Sequence, residues 1–375
     1  MIGKNRYLQI GKFYPPQWGG IETVTYNLEE ALSEKGYKNS VLVYDNDQDN
    51  NGSSSKNSDV IRCKYNTLFG APYSIGYLKK FIKIAKNYSH VICHVPNPWV
   101  IICLLMISYK GKLILYWHSD VVNKGILGFV LAPFELWLIR RASVVIAPTK
   151  AHIESSKYAS KLIKKYKIVP YPINRDIFNI ANNNINHKLV SDKAVNLVAI
   201  GRLVEYKGFK FLIEAVSLLP KNINYHLDIV GDGPLRGDLN ELIAKLKLQN
   251  FISIHGSVSK DRLSNLLDRA HIFCFPSNTK AEMYGMVQYE AMAYGLPIIG
   301  ADIPGSGVPL LLKYSGAGLL VELNSPEAIA LAIVKIMNDP VLYSKLSMSG
   351  IEAIKNKFRP DFLIDEFCRA ADAIF

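Results

Sequence analysis

The chain has 375 residues, 49% of them hydrophobic and 20% charged, which excludes a single small core or a wholly disordered polypeptide and suits two globular domains. Its net charge of +12 is uneven, because residues 1–180 carry 24 Lys and Arg against 12 Asp and Glu while residues 181–375 carry 20 of each. An anionic partner is therefore expected at the first half, with nucleic acid, an anionic membrane surface and a phosphate-bearing substrate as the candidates.

The longest apolar run, Trp99 to Tyr109, is shorter than the roughly 18 to 20 residues of a bilayer-spanning helix. The first residues, Met-Ile-Gly-Lys-Asn-Arg, lack a secretory h-region. Cys63, Cys93, Cys103, Cys274 and Cys368 form no C-x-x-C pair. A cytoplasmic protein with buried, inert thiols and no membrane span is the expectation.

Short β-branched runs alternate with helical periods along the chain, which predicts parallel sheets covered by helices. In the first half the predicted strands are Tyr7–Ile10, Val41–Tyr44, Val91–Val95, Leu113–Tyr116 and Val144–Ala147. A helix carrying Val24, Leu28, Ala31 and Leu32 follows the first of them. In the second half they are Val195–Ile200, Leu227–Val230, Phe251–Ile254, Ile272–Phe275, Pro297–Gly300 and Leu319–Val321. The polar, Asn-rich stretch Asn179–Asn186 reads as an exposed linker, and Asp45–Asp59 as a loop. The fold class expected is α/β, with two doubly wound, Rossmann-like domains over residues 1–180 and 190–358. Residues 359–375 are expected as a helix returning toward the first domain. Ligands belong at the carboxyl ends of strands, facing one another across a cleft.

Several segments carry chemistry. After the first strand, Lys12 to Glu22 contains Gly19 and Gly20 just before a long helix, where a missing Cβ leaves backbone N–H groups open to approach. Asp45, Asp47 and Asp49 mimic a metal loop, but Asn50 and Lys56 stand where an EF-hand needs Gly and Glu, so no metal is assigned. His118 follows a strand directly, and His94 is a second candidate. Val121–Arg141 sets apolar residues beside Arg140 and Arg141, which fits membrane contact or a buried core helix. Gly201-Arg202-Leu203-Val204-Glu205-Tyr206-Lys207-Gly208 and Gly231-Asp232-Gly233-Pro234 both follow strands. In Ala281 to Pro297, Glu282 is expected in a strand-to-helix loop and Glu290 about two turns into the helix. The N–H groups of Met283, Tyr284 and Gly285 would then sit at the helix N-terminus, where a phosphate is favoured.

The pattern E-x-Y-G-x4-E-A-M-A-x-G-x-P, together with G-R-L-x-x-x-K-G and G-x-G-P, resembles the signature of retaining glycosyltransferases of family 4. Departures are Met283, where an aromatic or small apolar residue is common, and His271, where Asp is frequent. The resemblance implies the two-domain GT-B fold and roles by position. Arg202 and Lys207 would clamp a donor pyrophosphate. Gly19, Gly20, Gly231, Gly233, Met283, Tyr284 and Gly285 would line the donor. Glu282 would hold the transferred sugar, Glu290 the ribose, and His118 the hexose. It further implies a nucleotide-sugar substrate, no cofactor and no metal. The reaction would transfer a hexose, with GDP-mannose favoured over UDP-hexoses, to a glycan on polyprenyl diphosphate in cell-surface polysaccharide (O-antigen, lipopolysaccharide) synthesis. A location on the inner face of the plasma membrane follows, peripheral and through the basic domain. A sugar-nucleotide epimerase on the same fold is the enzymatic alternative. No nucleic-acid recognition motif is present, so no nucleic-acid partner is expected.

Overall fold

The computed structural model describes residues 5–46, 58–68, 71–120, 125–184 and 195–373, without the side chains of 58 and 125–130. It divides into two compact units, one of residues 1–174 and 360–375, the other of residues 175–359.

The first unit is built on strands β1 (Arg6–Ile10), β2 (Lys38–Tyr44), β3 (Ser58–Cys63), β4 (Asn66–Leu68), β5 (Ala71–Tyr73), β6 (His90–Val95), β7 (Lys112–Trp117), β8 (Val144–Ala147) and β9 (Tyr166–Ile168). Seven of them form a parallel sheet in the order β3-β2-β1-β6-β7-β8-β9, and β4 and β5 pair as a short antiparallel ribbon. The central strands are buried on both faces, as their continuous apolar runs require.

The second unit carries β10 (Val195–Ile200), β11 (Tyr225–Val230), β12 (Ile252–Ile254), β13 (Ile272–Phe275), β14 (Ile298–Ala301) and β15 (Gly318–Val321). Their order, β12-β11-β10-β13-β14-β15, is all parallel. Strand order reverses between β10 and β13 here, and between β1 and β6 in the first unit. At such switch points adjacent loops diverge and leave a crevice at the strand carboxyl ends.

Two sequence expectations need correction. Of the stretch Asn179–Asn186, read as linker, residues 179–183 belong to a helix, Arg175–Asn183, whose Ala181 is fully buried. Ile177, Ile180 and Ala181 supply the helical spacing that the surrounding asparagines mask. The loop expected over Asp45–Asp59 gives way to strand β3 from Ser58, and residues 47–57 lie outside the described set.

The helix Pro360–Asp372 packs within the first unit, burying Leu363, Ile364, Phe367 and Ala371. The Phe367 ring lies 5.8 Å from that of Tyr116. At its end the Asp372 carboxylate accepts from Lys112 Nζ at 2.9 Å and meets His90 Nε2 at 3.1 Å. Truncating Phe367 to Ala should therefore destabilise the first unit by about 3 to 5 kcal/mol, read as a lower urea midpoint. A loss below about 0.5 kcal/mol would show that the helix is not part of this core.

Candidate functional site

In the second unit β10 runs out into Gly201-Arg202-Leu203, then the single turn Glu205–Lys207, and then Gly208 with φ +66°. A Cβ at Gly208 would stand 2.1 Å from the carbonyl oxygen of Pro276, just past β13. Only glycine allows this approach. The turn delivers Lys207 Nζ onto Glu282 Oε2 as an ion pair, with the two side chains 14% and 12% exposed. Ser277 Oγ donates to the same carboxylate oxygen at 3.3 Å, and the ammonium lies 5.4 Å from the Phe275 ring centroid. A Cβ at Gly201 would lie 3.2 Å from Lys207 Cε, so that glycine leaves room for the lysine stem.

Arg202 is exposed and pairs with no carboxylate among the described residues. The Lys207–Glu282 pair thus stands at the switch point, and the exposed Arg202 lies in the same loop as Lys207. The Lys207 ammonium has three donors, and Glu282 does not use them all. The arrangement fits an anion carrying hydroxyl groups, with the cations meeting the anion and Glu282 accepting from a hydroxyl.

The loop beyond β13 is held from both sides. Glu282 N–H donates to Thr279 O at 3.0 Å, Ser306 Oγ to Glu282 O at 2.5 Å, and Gly307 N–H to Met283 O at 2.8 Å. Tyr284 is buried, with its hydroxyl 2.5 Å from that of Tyr289, so its side chain is not presented to a ligand. Gly285 has φ +73°, and a Cβ there would strike the Phe275 ring at 2.5 Å. The helix begins only at Val287, which puts Glu290 in its first turn rather than two turns in. The Met283–Gly285 segment consequently precedes the helix instead of opening it. Glu290 is half-buried, and burial pushes its carboxyl up to about 7, against a smaller opposing pull from Lys260. Its carboxyl has no hydrogen-bond partner among the described residues.

Gly231 and Gly233 have a different reason from the one read in sequence. A Cβ at Gly231 would stand 2.0 Å from Gly201 O, and one at Gly233 would stand 2.4 Å from Leu203 O. The two loops are stitched by Leu203 N–H to Asp232 O at 2.9 Å and Leu235 N–H to Leu203 O at 3.1 Å. The glycines admit a neighbouring loop, and that contact seats the backbone on either side of Arg202.

In the first unit Gly19 is extended, at φ −162°, and precedes the helix Gly20–Glu34. A Cβ at Gly19 would meet only the movable Glu22 carboxylate, and one at Gly20 would meet nothing within 4 Å. The protein itself does not demand glycine here. Asp45 is not solvated as expected, since it is 5% exposed and pairs with Arg62 at 2.6 Å. Arg62 also donates to Pro15 O at 2.8 Å and so anchors the loop after β1. Asp47 and Asp49 lie outside the described residues.

His118, at the end of β7, is 5% exposed and its ring nitrogens are engaged by protein. Tyr171 O–H donates to His118 Nδ1 at 2.6 Å, His118 Nε2–H donates to His94 Nδ1 at 3.0 Å, and His94 Nε2–H donates to Gln9 Oε1 at 2.9 Å. These directions follow from the amide oxygen at the Gln9 end; with that amide turned over the whole chain reverses. Burial holds His94 down to about 3 and His118 well below its ordinary value, so both rings are neutral. The expectation that the His118 ring bonds a hexose therefore needs correction, and the side chain instead fixes the loop that follows β7. Tyr171, Gln9, Ser277 and Ser306 were not found from sequence, because none lies in a recognisable spacing.

Two family descriptions match the chain: "Glycosyltransferase Family 4" over residues 18–176 and "Glycosyl transferases group 1" over residues 181–355. The chain is 23% identical over 370 residues to the O-antigen chain mannosyltransferase C of Escherichia coli, covering 96% of each sequence. It is 24% identical to the D-rhamnosyltransferase WbpZ of Pseudomonas aeruginosa, covering 86% of this chain and 84% of the relative. Among solved structures it is similar to HepE of Anabaena in complex with UDP, with a TM-score of 0.73, 16% identity and 98% of each chain covered.

Two measurements check this geometry. Gly231→Ala should cost at least about 2 kcal/mol, whereas Gly20→Ala should stay within about 0.5 kcal/mol of the parent in denaturant unfolding. Equal effects would show that the interloop contact is misplaced. Ring resonances of His94 and His118 should not titrate between pH 5.5 and 8, and a midpoint in that window would break the hydrogen-bond chain described above.

Proposed function

We propose, from the premise that the chain belongs to glycosyltransferase family 4 and has the GT-B fold, that it transfers a hexose from a nucleoside diphosphate sugar during surface-polysaccharide synthesis. The observation that carries this reading is the Lys207–Glu282 pair beside the exposed Arg202, at the point where strand order reverses. A departing nucleoside diphosphate accumulates negative charge, and cations held in place before the reaction stabilise that charge most in the transition state.

Arg202 and Lys207 take the diphosphate, Glu282 accepts from a hydroxyl of the transferred sugar, and Glu290 accepts from the ribose. The loop Met283–Gly285 contributes main-chain groups, and Gly231 and Gly233 act through the seating of Arg202. In the first unit Gly19 and Gly20 leave backbone open to phosphate, and His118 acts through its backbone carbonyl beside the positive charge that develops on the sugar. The acceptor hydroxyl attacks from the face the diphosphate leaves, and the leaving phosphate oxygen takes its proton. Configuration is retained without a protein nucleophile, cofactor or metal, and catalysis rests on positioning and charge stabilisation.

GDP-mannose is the favoured donor, supported by the similarity to an O-antigen mannosyltransferase. The UDP of the HepE complex supports a nucleoside diphosphate of some kind. The acceptor is a glycan on polyprenyl diphosphate, which suits a basic first unit brought to an anionic membrane on its cytoplasmic side. No described helix is long and apolar enough to cross a membrane.

Arg202→Ala and Lys207→Ala should each lower kcat/KM by on the order of 100-fold or more. Turnover within about threefold of the parent, in a steady-state assay with GDP- and UDP-sugars, would refute the diphosphate role. Glu290 adds a pH dependence. Hydroxyl donors favour its charged form, so the ligand binds the deprotonated state, and protonation below about pH 7 competes with binding. Nucleotide affinity should weaken about tenfold from pH 8 to pH 6. Glu290→Gln should flatten that profile, and an unchanged profile in the variant would remove Glu290 from the ribose.

A further inference from the structure

The loop between β1 and the helix Gly20–Glu34 ends on Trp18 and Gly19, and Trp18 is 63% exposed. Exposure of a single apolar side chain is ordinary by itself, but this one is combined with two further features, a fixed ring and an adjoining carboxylate. Trp18 stands one place before the helix cap, where an apolar residue commonly packs on the fourth helical position. That position is the polar Thr23, whose N–H and hydroxyl both donate to Gly19 O, at 2.9 and 2.8 Å. The indole is therefore not needed to fix the entry of the chain. Its N–H makes no hydrogen bond among the described residues.

The Trp18 ring centroid lies 5.7 Å from that of Tyr26, with the planes at 72°, and Tyr26 lies 5.9 Å from Tyr14. Tyr26 O–H donates to Glu30 Oε1 at 2.5 Å, and Tyr14 O–H to Oε2 of the buried Glu29 at 3.1 Å. The Arg62 guanidinium stands 5.8 Å from the Tyr14 centroid while it donates to Pro15 O. Three rings thus form a row rooted in the first unit, with the outermost one open. A ring held this way has little freedom left to lose when a ligand binds. The Glu22 carboxylate occupies the space where a Gly19 side chain would begin, so it lies against the residue that follows Trp18. Glu22 is half-buried, and burial raises its carboxyl above the ordinary carboxylate range, opposed by its own N–H and by the Lys12 charge. No ion pair takes it up among the described residues.

We infer that Trp18 and Glu22 form a hexopyranose site for the terminal sugar of the acceptor, the indole stacking on the C–H face of the ring and the carboxylate accepting from its hydroxyls. The inference rests on the reading of the chain as a hexosyltransferase and goes beyond it by naming contacts for the acceptor. A pyranose ring carries C–H bonds on its faces and hydroxyls around its rim, and the electropositive hydrogens suit the negative face of an aromatic ring. An aromatic wall with a few placed polar groups is the usual make-up of a small-molecule site. The loop leaves β1 where strand order reverses in this sheet, the place where ligands gather. The donor's own sugar is assigned to Glu282 in the second unit, which leaves Trp18, in the first, for the other sugar. A protein partner is disfavoured, because the exposed neighbours Gln17, Gly19 and Gly20 supply no ring of apolar contacts such as a hot spot needs.

The test labels the full chain with 5-fluorotryptophan, whose four tryptophans give four fluorine resonances, and Trp18→Phe identifies one of them by its loss. Methyl α-glycosides of mannose, glucose and galactose are titrated with and without GDP or UDP, and a monosaccharide on one open ring should saturate in about the millimolar range. At least one should shift the Trp18 resonance and leave the other three in place. Affinity for that sugar, read by saturation transfer, should fall about tenfold in Trp18→Ala and in Glu22→Ala, and stay within about threefold of the parent in Trp18→Phe. All three variants should keep the parent's thermal shift with nucleotide, which reports that they fold. No shift of Trp18 with any glycoside, or an equal shift with cyclohexanol, would overturn the sugar site and leave the donor reading intact. A Trp18 shift with GDP or UDP alone would assign the ring to a nucleobase and overturn it as well. A parent with no thermal shift from any nucleotide would contradict the donor reading, and the titrations without nucleotide would still decide the sugar site.

Discussion

The ion pair between Lys207 and Glu282 ties together the loops that leave β10 and β13, and most of the second unit's site depends on it. An ammonium and a carboxylate so little exposed lose hydration, and removing either partner leaves the other charge uncompensated. The surrounding glycines make the pairing possible. Gly208 lets the lysine turn lie on Pro276, Gly201 leaves room for the lysine stem, and Gly231 with Gly233 brings the neighbouring loop against Gly201 and Leu203 on either side of Arg202. Donors held this way need little reorganisation when charge develops on a leaving group, which is the condition for electrostatic catalysis.

The two units use charge in opposite ways. In the second, cations and carboxylates are brought together inside a loop cluster, and the balance over residues 181–375 is even. In the first, besides the buried Asp45–Arg62 pair, there is a neutral hydrogen-bonded row of Tyr171, His118, His94 and Gln9. The excess positive charge stays on exposed lysines. A neutral interior row holds a loop in place without responding to pH, whereas exposed lysines respond to ionic strength and to anionic surfaces.

Much of this was legible in the sequence, and the failures have physical causes. All six strands of the second unit were read, because each contains a short apolar run, even at the half-buried edges β12 and β15. Strands β3, β4, β5 and β9 were missed, being edge or surface strands with mixed composition. The helix Arg175–Asn183 was hidden by asparagines on its exposed side. Residue types at Arg202, Lys207, Glu282 and Glu290 pointed to an anion-and-hydroxyl site, but their mutual geometry was not legible. The sequence does not show that Lys207 and Glu282 pair with each other, nor that the helix starts late enough to bring Glu290 into its first turn. The glycines look alike in sequence but differ in surroundings, since Gly231 and Gly233 admit a neighbouring backbone and no protein atom lies where a Gly20 side chain would go. The His118 ring was likewise assigned to a ligand when its nitrogens are engaged by Tyr171 and His94.

The central claim is that the loops after β10 and β13 hold a nucleoside diphosphate sugar. Amide hydrogen exchange with GDP-mannose and with UDP-glucose tests it most directly, because it maps protection without presuming turnover. The account predicts that at least one of the two slows exchange across residues 201–208 and 282–290, with Arg202→Ala abolishing the effect. Protection confined to other segments, or none in these two with either nucleotide sugar, would contradict it.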